Sequence, residues 1–239
     1  MIDLHSHVLH AVDDGPESID ISLEMLQHAS NSGIRAVVAT PHVIDGLSAG
    51  YEESILSKFR ELTHAVIDHK LDIDVYLGSE VYFQFRMEDI VESSIGTYRG
   101  MGRYFLTEVS LTDYPKRFEE TLLNLISQGK KPIFAHPERV GPLVGDVETI
   151  EKLIDYGVLI QMNSGSILKN FGTSIYEFSS LLLEKRLVHF VASDAHSTRR
   201  RSFNLDKARD SIVEQCGEDY AEKLVYTNPL CVLFNEEIV

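Results

Sequence analysis

A barrel of parallel β/α units is the fold class this sequence predicts, and three observations predict it. Seven short apolar runs alternate with segments of helical spacing along nearly the whole chain. The length, 239 residues and 27.0 kDa, suits one α/β barrel of about 200–250 residues. Six of the seven runs lead directly into a histidine or a carboxylate, the residue types that barrel enzymes gather at the carboxyl ends of their strands.

In chain order the apolar runs fall at residues 1–4, 35–39, 73–77, 104–106, 132–135, 158–162 and 187–192. Each is too short for a buried helix and reads as a strand. The clearest helix is marked by Ile19, Leu23 and Leu26 and closed by Gly33 in a C′ position. Further helices are expected near 55–67, 117–126, 147–156, 175–183 and 205–213. Strict alternation argues for right-handed crossovers between parallel strands, and seven units for a closed or nearly closed barrel. No longer repeat and no compositional break marks a linker, so residues 1–239 read as a single domain.

Composition narrows the function. The chain is 44% hydrophobic and 25% charged, as in an ordinary globular protein. Thirty-seven acidic against 22 basic residues leave a formal charge of −15, which disfavours nucleic acid and anionic membranes as partners. The amino terminus lacks the basic and apolar regions of a secretory signal, and no apolar run approaches a membrane span, so a cytoplasmic location is expected. Cys216 and Cys231 form no C-x-x-C, and Glu222 and Glu237 stand six residues after them where a thiol-phosphatase loop needs arginine.

The residues just past each run carry the chemistry. His5-Ser6-His7 closes the first; strand alternation would turn Asp3, His5 and His7 to one face, with two imidazoles toward one small volume. The next runs deliver Thr40-Pro41-His42, Gly78-Ser79-Glu80, Thr107-Glu108, Ala135-His136-Pro137-Glu138-Arg139 and, last, Ser193-Asp194-Ala195-His196. The sixth delivers Asn163 and Ser164 instead. Solvated loops explain polar residues but not a preference for imidazole and carboxylate at one end, which is the pattern of convergent metal ligands.

In this order, the H-x-H, T-P-H, G-x-E, A-H-P-E-R and S-D-A-H pieces resemble the polymerase-and-histidinol-phosphatase (PHP) superfamily. With Val12-Asp13-Asp14-Gly15-Pro16 after the first piece, the chain is similar to the bacterial capsule and exopolysaccharide protein-tyrosine phosphatases of the CpsB type. That resemblance implies a distorted (β/α)7 barrel holding three divalent metals, Mn²⁺ foremost with Fe or Zn²⁺ as alternatives. One would take His5, His7, Glu80 and Asp194; a second, Glu80, Glu108 and His136; the third, Asp14, His42 and His196. It further implies phosphate binding by Arg139 and Arg201, with Arg199 and Arg200 as neighbours that a one-residue shift would substitute; for the leaving group, His196 or a metal-bound water is the candidate proton source. The implied activity is phosphotyrosine hydrolysis by a hydroxide bridging two metals, on a bacterial tyrosine kinase controlling polysaccharide export. Rival readings are a small-molecule phosphatase acting on histidinol phosphate or nucleotides, and a catalytically silent, metal-stabilised binding module.

Other residues take structural readings. His10, His28, His64, His69 and His189 are assigned to surface or packing, Asp13 to a turn, Glu138 to capping or a salt bridge, and Asp3 to positioning a ligand histidine or to structural hydrogen bonding. Gly46-Leu47-Ser48-Ala49-Gly50 matches a serine-hydrolase elbow in letters but lacks the strand that must precede the serine.

Overall fold

Runs buried on both faces assemble into a parallel sheet, which needs helices outside it to cover its apolar side chains. A computed structural model describes residues 1–238. The strands are β1 (Ile2–Ser6), β2 (Ala36–Ala39), β3 (His42–Val43), β4 (Asp74–Leu77), β5 (Glu80–Tyr82), β6 (Tyr104–Glu108), β7 (Lys131–Ala135), β8 (Leu159–Asn163) and β9 (Phe190–Ala192). All their pairings are parallel, in a three-stranded sheet β1-β2-β4 and a six-stranded sheet β3-β5-β6-β7-β8-β9.

The expected strands at 35–39 and 73–77 form as β2 and β4, and each is followed, after a two-residue break, by a second short strand. Pro41 has no N–H to donate, and β2 stops before it and resumes as β3; β4 breaks likewise at Gly78-Ser79 and resumes as β5. Backbone bonds carry the ladder across both breaks, from Gly78 N–H to Ala39 O (2.9 Å) and from Glu80 N–H to Pro41 O (3.0 Å). On the far side the carboxyl ends of β1 and β9 are joined by Asp194 N–H to His5 O (2.9 Å) and His7 N–H to Ala195 O (2.8 Å). The result is a distorted barrel whose two sheets are bridged at the rim where the polar motifs lie.

The covering helices are α1 (Ile19–Asn31), α2 (Ala49–Asp68), the short α3 (Met87–Val91), α4 (Arg117–Ser127), α5 (Val147–Asp155), α6 (Ser164–Ile167), α7 (Thr173–Glu184) and α8 (Leu205–Cys216). Then come α9 (Glu218–Glu222), a π-helical turn (Lys223–Thr227) and α10 (Asn228–Phe234). Gly33 ends the α1 segment with φ +81°, as its C′ placement predicts. Ser48 caps α2, its Oγ accepting from Tyr51 N–H at 3.2 Å, so the elbow-like motif is a helix start. No helix among the described residues is long and apolar enough to cross a membrane.

Two apolar clusters result. The larger lies between strands and helices and includes Val37, Phe105, Phe134, Ile160 and Val191. The smaller combines the alternate strand residues Ile2, Leu4, Ala36, Val38, Leu106, Ile133, Ala135 and Phe190 with Tyr98 and, from α10, Val232 and Leu233. Its polar continuation along the same strands is the site.

Candidate metal centre

Simple alternation misplaces β1. Asp3 pairs with Val37 but Ser6 with Ala39, so three steps of one strand face two of the other and one residue is extra. Such a bulge resets which side chains face inward. Leu4 joins the inner apolar cluster and His5, directly after it, joins the polar one. Asp3 does not share that face as expected: its carboxylate accepts from the backbone N–H groups of His5 (3.2 Å) and Ser193 (3.1 Å), a structural role that fastens β1 to the end of β9.

All nine expected ligand residues converge. His5 Nε2 lies 3.3 Å from His7 Nε2 and 3.1 Å from Glu80 Oε2; both imidazole nitrogens stand 3.5 Å from Asp194 Oδ1. His136 Nε2 is 3.0 Å from Glu80 Oε1 and 3.8 Å from Glu108 Oε2. His42 Nδ1 reaches Glu80 Oε2 at 3.1 Å and Glu108 Oε1 at 3.0 Å. At the open edge Asp14, more than half exposed, approaches His196 Nε2 (3.1 Å) and His42 Nε2 (3.5 Å). Four sets of donors each gather within 4.8 Å: His7, Asp14, His42, His196; His5, His7, Glu80; His5, His136, Asp194; and His42, Glu80, Glu108.

The donor chemistry fits cations. His5 Nδ1 is engaged by Gln161 Oε1 at 2.7 Å and His7 Nδ1 by Asp13 Oδ2 at 2.8 Å; both partners are acceptors, so each Nδ1 carries the hydrogen. In the neutral rings both Nε2 lone pairs then face each other and the oxygens of Glu80 and Asp194. Only a cation or added protons satisfy such a cluster. His42 Nδ1, Glu80 Oε2 and His196 Nε2 are buried with no hydrogen-bond partner among the described residues. Mixed nitrogen and oxygen donors suit Mn²⁺, Fe or Zn²⁺ better than Ca²⁺.

Electrostatics follow the same contacts. Burial pushes the His7 imidazole down, but the hydrogen bond to Asp13 and the nearby Glu80 carboxylate outweigh it and raise His7 to about 9. Burial likewise opposes, and Glu108 and Glu80 overcome, the rise of His42 to about 9. For Glu80 and Asp194 burial favours the neutral form, yet the surrounding imidazoles, and Arg201 beside Asp194, hold both carboxyls well below the usual range.

Two ligand candidates adopt a left-handed backbone, His136 at φ 39° and Asp194 at φ 55°. This conformation costs a non-glycine residue about 1–3 kcal/mol. Cross-strand bonds hold it, from His136 N–H to Gln161 O (2.8 Å) and from Asp194 N–H to His5 O.

Among the three consecutive arginines, Arg201 enters. His196 N–H and Ser197 N–H both donate to Arg201 O (2.7 and 3.0 Å), closing residues 196–201 into a loop that returns Arg201 to the site. Its Nη2 lies 2.7 Å from each oxygen of Asp194, and Arg139 Nη1 is 3.0 Å from Asp194 Oδ2.

Sequence reasoning missed several supporting residues. Asp13 is more than a turn residue: besides His7, it accepts from the N–H of His42 (3.0 Å) and Gly15 (3.0 Å). Gln161 holds His5, and Asn163 donates to Asp194 at 2.7 Å. Asn163 is visible as the residue that the sixth run delivers; the only signal for Gln161 is its place two residues earlier, on the same face of β8. Glu138 is buried and accepts from Asn163 N–H and Ser166 Oγ–H, tying the loop after β7 to the start of α6. The five histidines assigned elsewhere belong to none of the donor sets; His10 is buried beside Glu61, and His189 Nδ1 accepts from Ile160 N–H. Both cysteines are free.

A parallel barrel with buried imidazoles and carboxylates at its carboxyl rim is the architecture of metal-dependent hydrolases. Comparison with known proteins narrows that class. A model of the capsular polysaccharide synthesis family CpsB/CapC matches residues 1–234, and the chain belongs to that family. It is 32% identical to the tyrosine-protein phosphatase CpsB of Streptococcus pneumoniae over the full length of both chains. To the tyrosine-protein phosphatase YwqE of Bacillus subtilis it is 30% identical, over 92% of this chain and 86% of that one.

A solved structure from the pair YwqE of Bacillus subtilis and CpsB of Streptococcus pneumoniae, described as unique metal-dependent tyrosine phosphatases, superposes with TM-score 0.92 at 29% identity. The match covers 100% of this chain and 96% of that one. A phosphotriesterase homology protein of Escherichia coli shares the fold alone, with TM-score 0.60 and 12% identity over 95% of this chain and 96% of that one.

Proposed function

We propose that this chain is a metal-dependent protein-tyrosine phosphatase acting in the cytoplasm on a tyrosine-phosphorylated protein, a bacterial tyrosine kinase controlling capsule or exopolysaccharide synthesis. Residues 1–239 act as one PHP-type metallophosphatase domain. The observation that carries the reading is the convergence of nine imidazole and carboxylate side chains on one rim, with acceptor atoms facing each other. Relatives named tyrosine-protein phosphatases over the full chain length favour phosphotyrosine above histidinol phosphate or nucleotides.

In this reading three divalent ions, Mn²⁺ foremost, would be held by His5, His7, Glu80 and Asp194, by Glu80, Glu108 and His136, and by Asp14, His42 and His196. When bound, such ions lower the pKa of water from about 15.7 to near 7 and polarise the phosphoryl group. The chain's own residues do the rest. Asp13 and Gln161 fix the tautomers that present His7 Nε2 and His5 Nε2 inward. Arg139 and Arg201 both touch Asp194 Oδ2, at 3.0 and 2.7 Å, so an anion seated beside it meets two guanidinium forks. The departing tyrosine phenolate, of pKa near 10, needs little proton assistance, and His196, with Nε2 in the donor set and Nδ1 on Asp194 O at 2.9 Å, serves as a ligand rather than as an acid.

The test is phosphate release from phosphotyrosine peptides by purified protein with Mn²⁺, against a chelated control, and kcat/KM on histidinol phosphate and nucleotides. Metal-dependent release with phosphotyrosine preferred is expected, and His136→Ala should lose turnover together with bound metal. Equal release with and without chelator would sink the metal reading; preference for a small phosphate ester would establish the rival enzyme. An unchanged cellular function of His136→Ala would establish the silent module.

A further inference from the structure

A cavity of about 390 Å³ opens directly off the site, walled by Asn170, Phe171, Asp194, Arg200, Arg201 and Asn204. It shares Asp194 and Arg201 with the metal centre, so whatever fills it lies next to the phosphoryl group. Its volume, at the low end for ligand pockets, exceeds what one phosphoryl group occupies.

The charge of this cavity is opposite to that of the protein. Asp194, the one carboxylate in its wall, is already paired with Arg201 (2.7 Å to each oxygen) and Arg139 (3.0 Å), and Asn163 donates to it at 2.7 Å. Arg200 has no acidic partner among the described residues, and Arg201 Nε is buried without an acceptor. Other clefts differ: the one beside Phe85 balances Arg86 and Arg117 with Glu88 and Glu120, and the one between α7 and α8 has Glu177, Glu184 and Glu214 without a cation. On a chain of formal charge −15, an uncompensated cation beside the site selects for an anion there.

Phe171 shapes the wall. The Arg139 guanidinium sits 4.2 Å from its ring centroid, and a Cβ on Gly165 would come within 2.9 Å of its Cε2. One face is thereby given to Arg139 and one edge to Gly165, which leaves polar and cationic groups to receive the ligand.

We propose that this cavity is a specificity subsite for an anionic side chain, carboxylate or second phosphate, adjacent to the phosphotyrosine in the substrate sequence, with Arg200 as its cation. The proposal rests on the phosphotyrosine reading of the metal centre. An arginine paired with a partly exposed anion favours acidic flanks over neutral ones by roughly threefold to tenfold in kcat/KM.

The experiment uses Mn²⁺-loaded full-length protein and phosphotyrosine peptides that differ only in the flanking residues: Ala, Glu, Lys or a second phosphotyrosine. The readout is the ratio of kcat/KM between flanks, which cancels any change in overall activity. It is repeated as relative Kd by fluorescence anisotropy with the non-hydrolysable difluoromethylphosphonate forms of the same peptides. Wild type should favour Glu over Ala over Lys, with the second phosphotyrosine at least equal to Glu if phosphate is the natural occupant and below Ala if the cavity takes carboxylate only. Arg200→Glu should reverse the Glu/Lys ratio. Arg199→Glu, the same charge change one residue outside the cavity wall, should leave the ratio within about twofold of wild type. Hydrolysis of all peptides at one rate, or equal effects of Arg199→Glu and Arg200→Glu, overturns the subsite alone. Hydrolysis of none of them under conditions where small phosphate esters are cleaved overturns the phosphotyrosine reading and the subsite with it.

Discussion

Asp13→Ala is the most informative single change, because it removes no proposed ligand and yet disturbs two of them. The Asp13 carboxylate accepts from His7 Nδ1 at 2.8 Å, from His42 N–H at 3.0 Å and from Gly15 N–H at 3.0 Å. Burial favours its neutral form, but the His7 hydrogen bond prevails and holds it below the usual carboxylate range. Without it the His7 ring is free to rotate and to take the tautomer that points a hydrogen at the metal. Loss of such an orienting partner costs about 10–100-fold in metal affinity, or about 1.4–2.7 kcal/mol. Three donors lose their acceptor; with water replacing part of that at the exposed Asp14 edge, the metal-free protein should lose about 2–4 kcal/mol. Asp13→Asn keeps an acceptor oxygen without the charge and should fall between. Mn²⁺ titration against a fluorescent chelator reads the affinity, and urea denaturation of metal-free protein reads the stability. At saturating Mn²⁺ the variant should recover kcat to within roughly tenfold of wild type, since its ligands remain. Wild-type Mn²⁺ affinity in Asp13→Ala would refute the tautomer argument and the assignment of His7 with it.

Three further expectations come from separate features. In Gly15→Ala the new Cβ would lie 2.4 Å from His7 O, so the loop carrying Asp14 must move; a displacement near 1 Å can cost about 100-fold, and steady-state kinetics showing wild-type kcat/KM would contradict the loop's role. Arg201→Ala should reduce kcat/KM roughly 10–150-fold, the worth of a hydrogen bond to a charged group of about 1.5–3 kcal/mol, while Arg199→Ala should stay within about twofold; equal losses in both would assign the effect to general charge. Burial holds the folded His189 imidazole down at about 4 against 6.5 when unfolded, and its Nδ1 accepts from Ile160 N–H. Below pH 6.5 the unfolded chain therefore binds more protons, and up to about 3 kcal/mol of stability present above that pH is lost as pH falls toward 4. Denaturation of metal-free protein across this range should show a shallower pH slope in His189→Gln, and identical slopes would exclude His189 as the cause.

The alternation of apolar runs and helical spacing determined the barrel class, because each strand–helix unit must bury its own apolar faces and leaves a periodic trace in doing so. Residue type after each run determined the candidate ligands as well: His5, Glu80, His136 and Asp194 sit at strand ends, where local sequence and position in the fold coincide. What tertiary structure alone decided lies wherever a contact joins distant segments. Pro41 and Gly78-Ser79 split two strands, and β3 and β5, too short to leave an apolar run, form only because neighbouring strands accept their pairing. The bulge in β1 turns Asp3 away from His5, which strand alternation alone could not foretell. Asp13 reads as a turn until His7 and the His42 backbone close on it, and Arg201 is distinguished from Arg199 and Arg200 only by a loop whose return is tied to His196. Sequence specifies which groups are available to each strand end; the register and closure of the barrel specify which of them meet, since a shift of one residue sends a side chain to the opposite face.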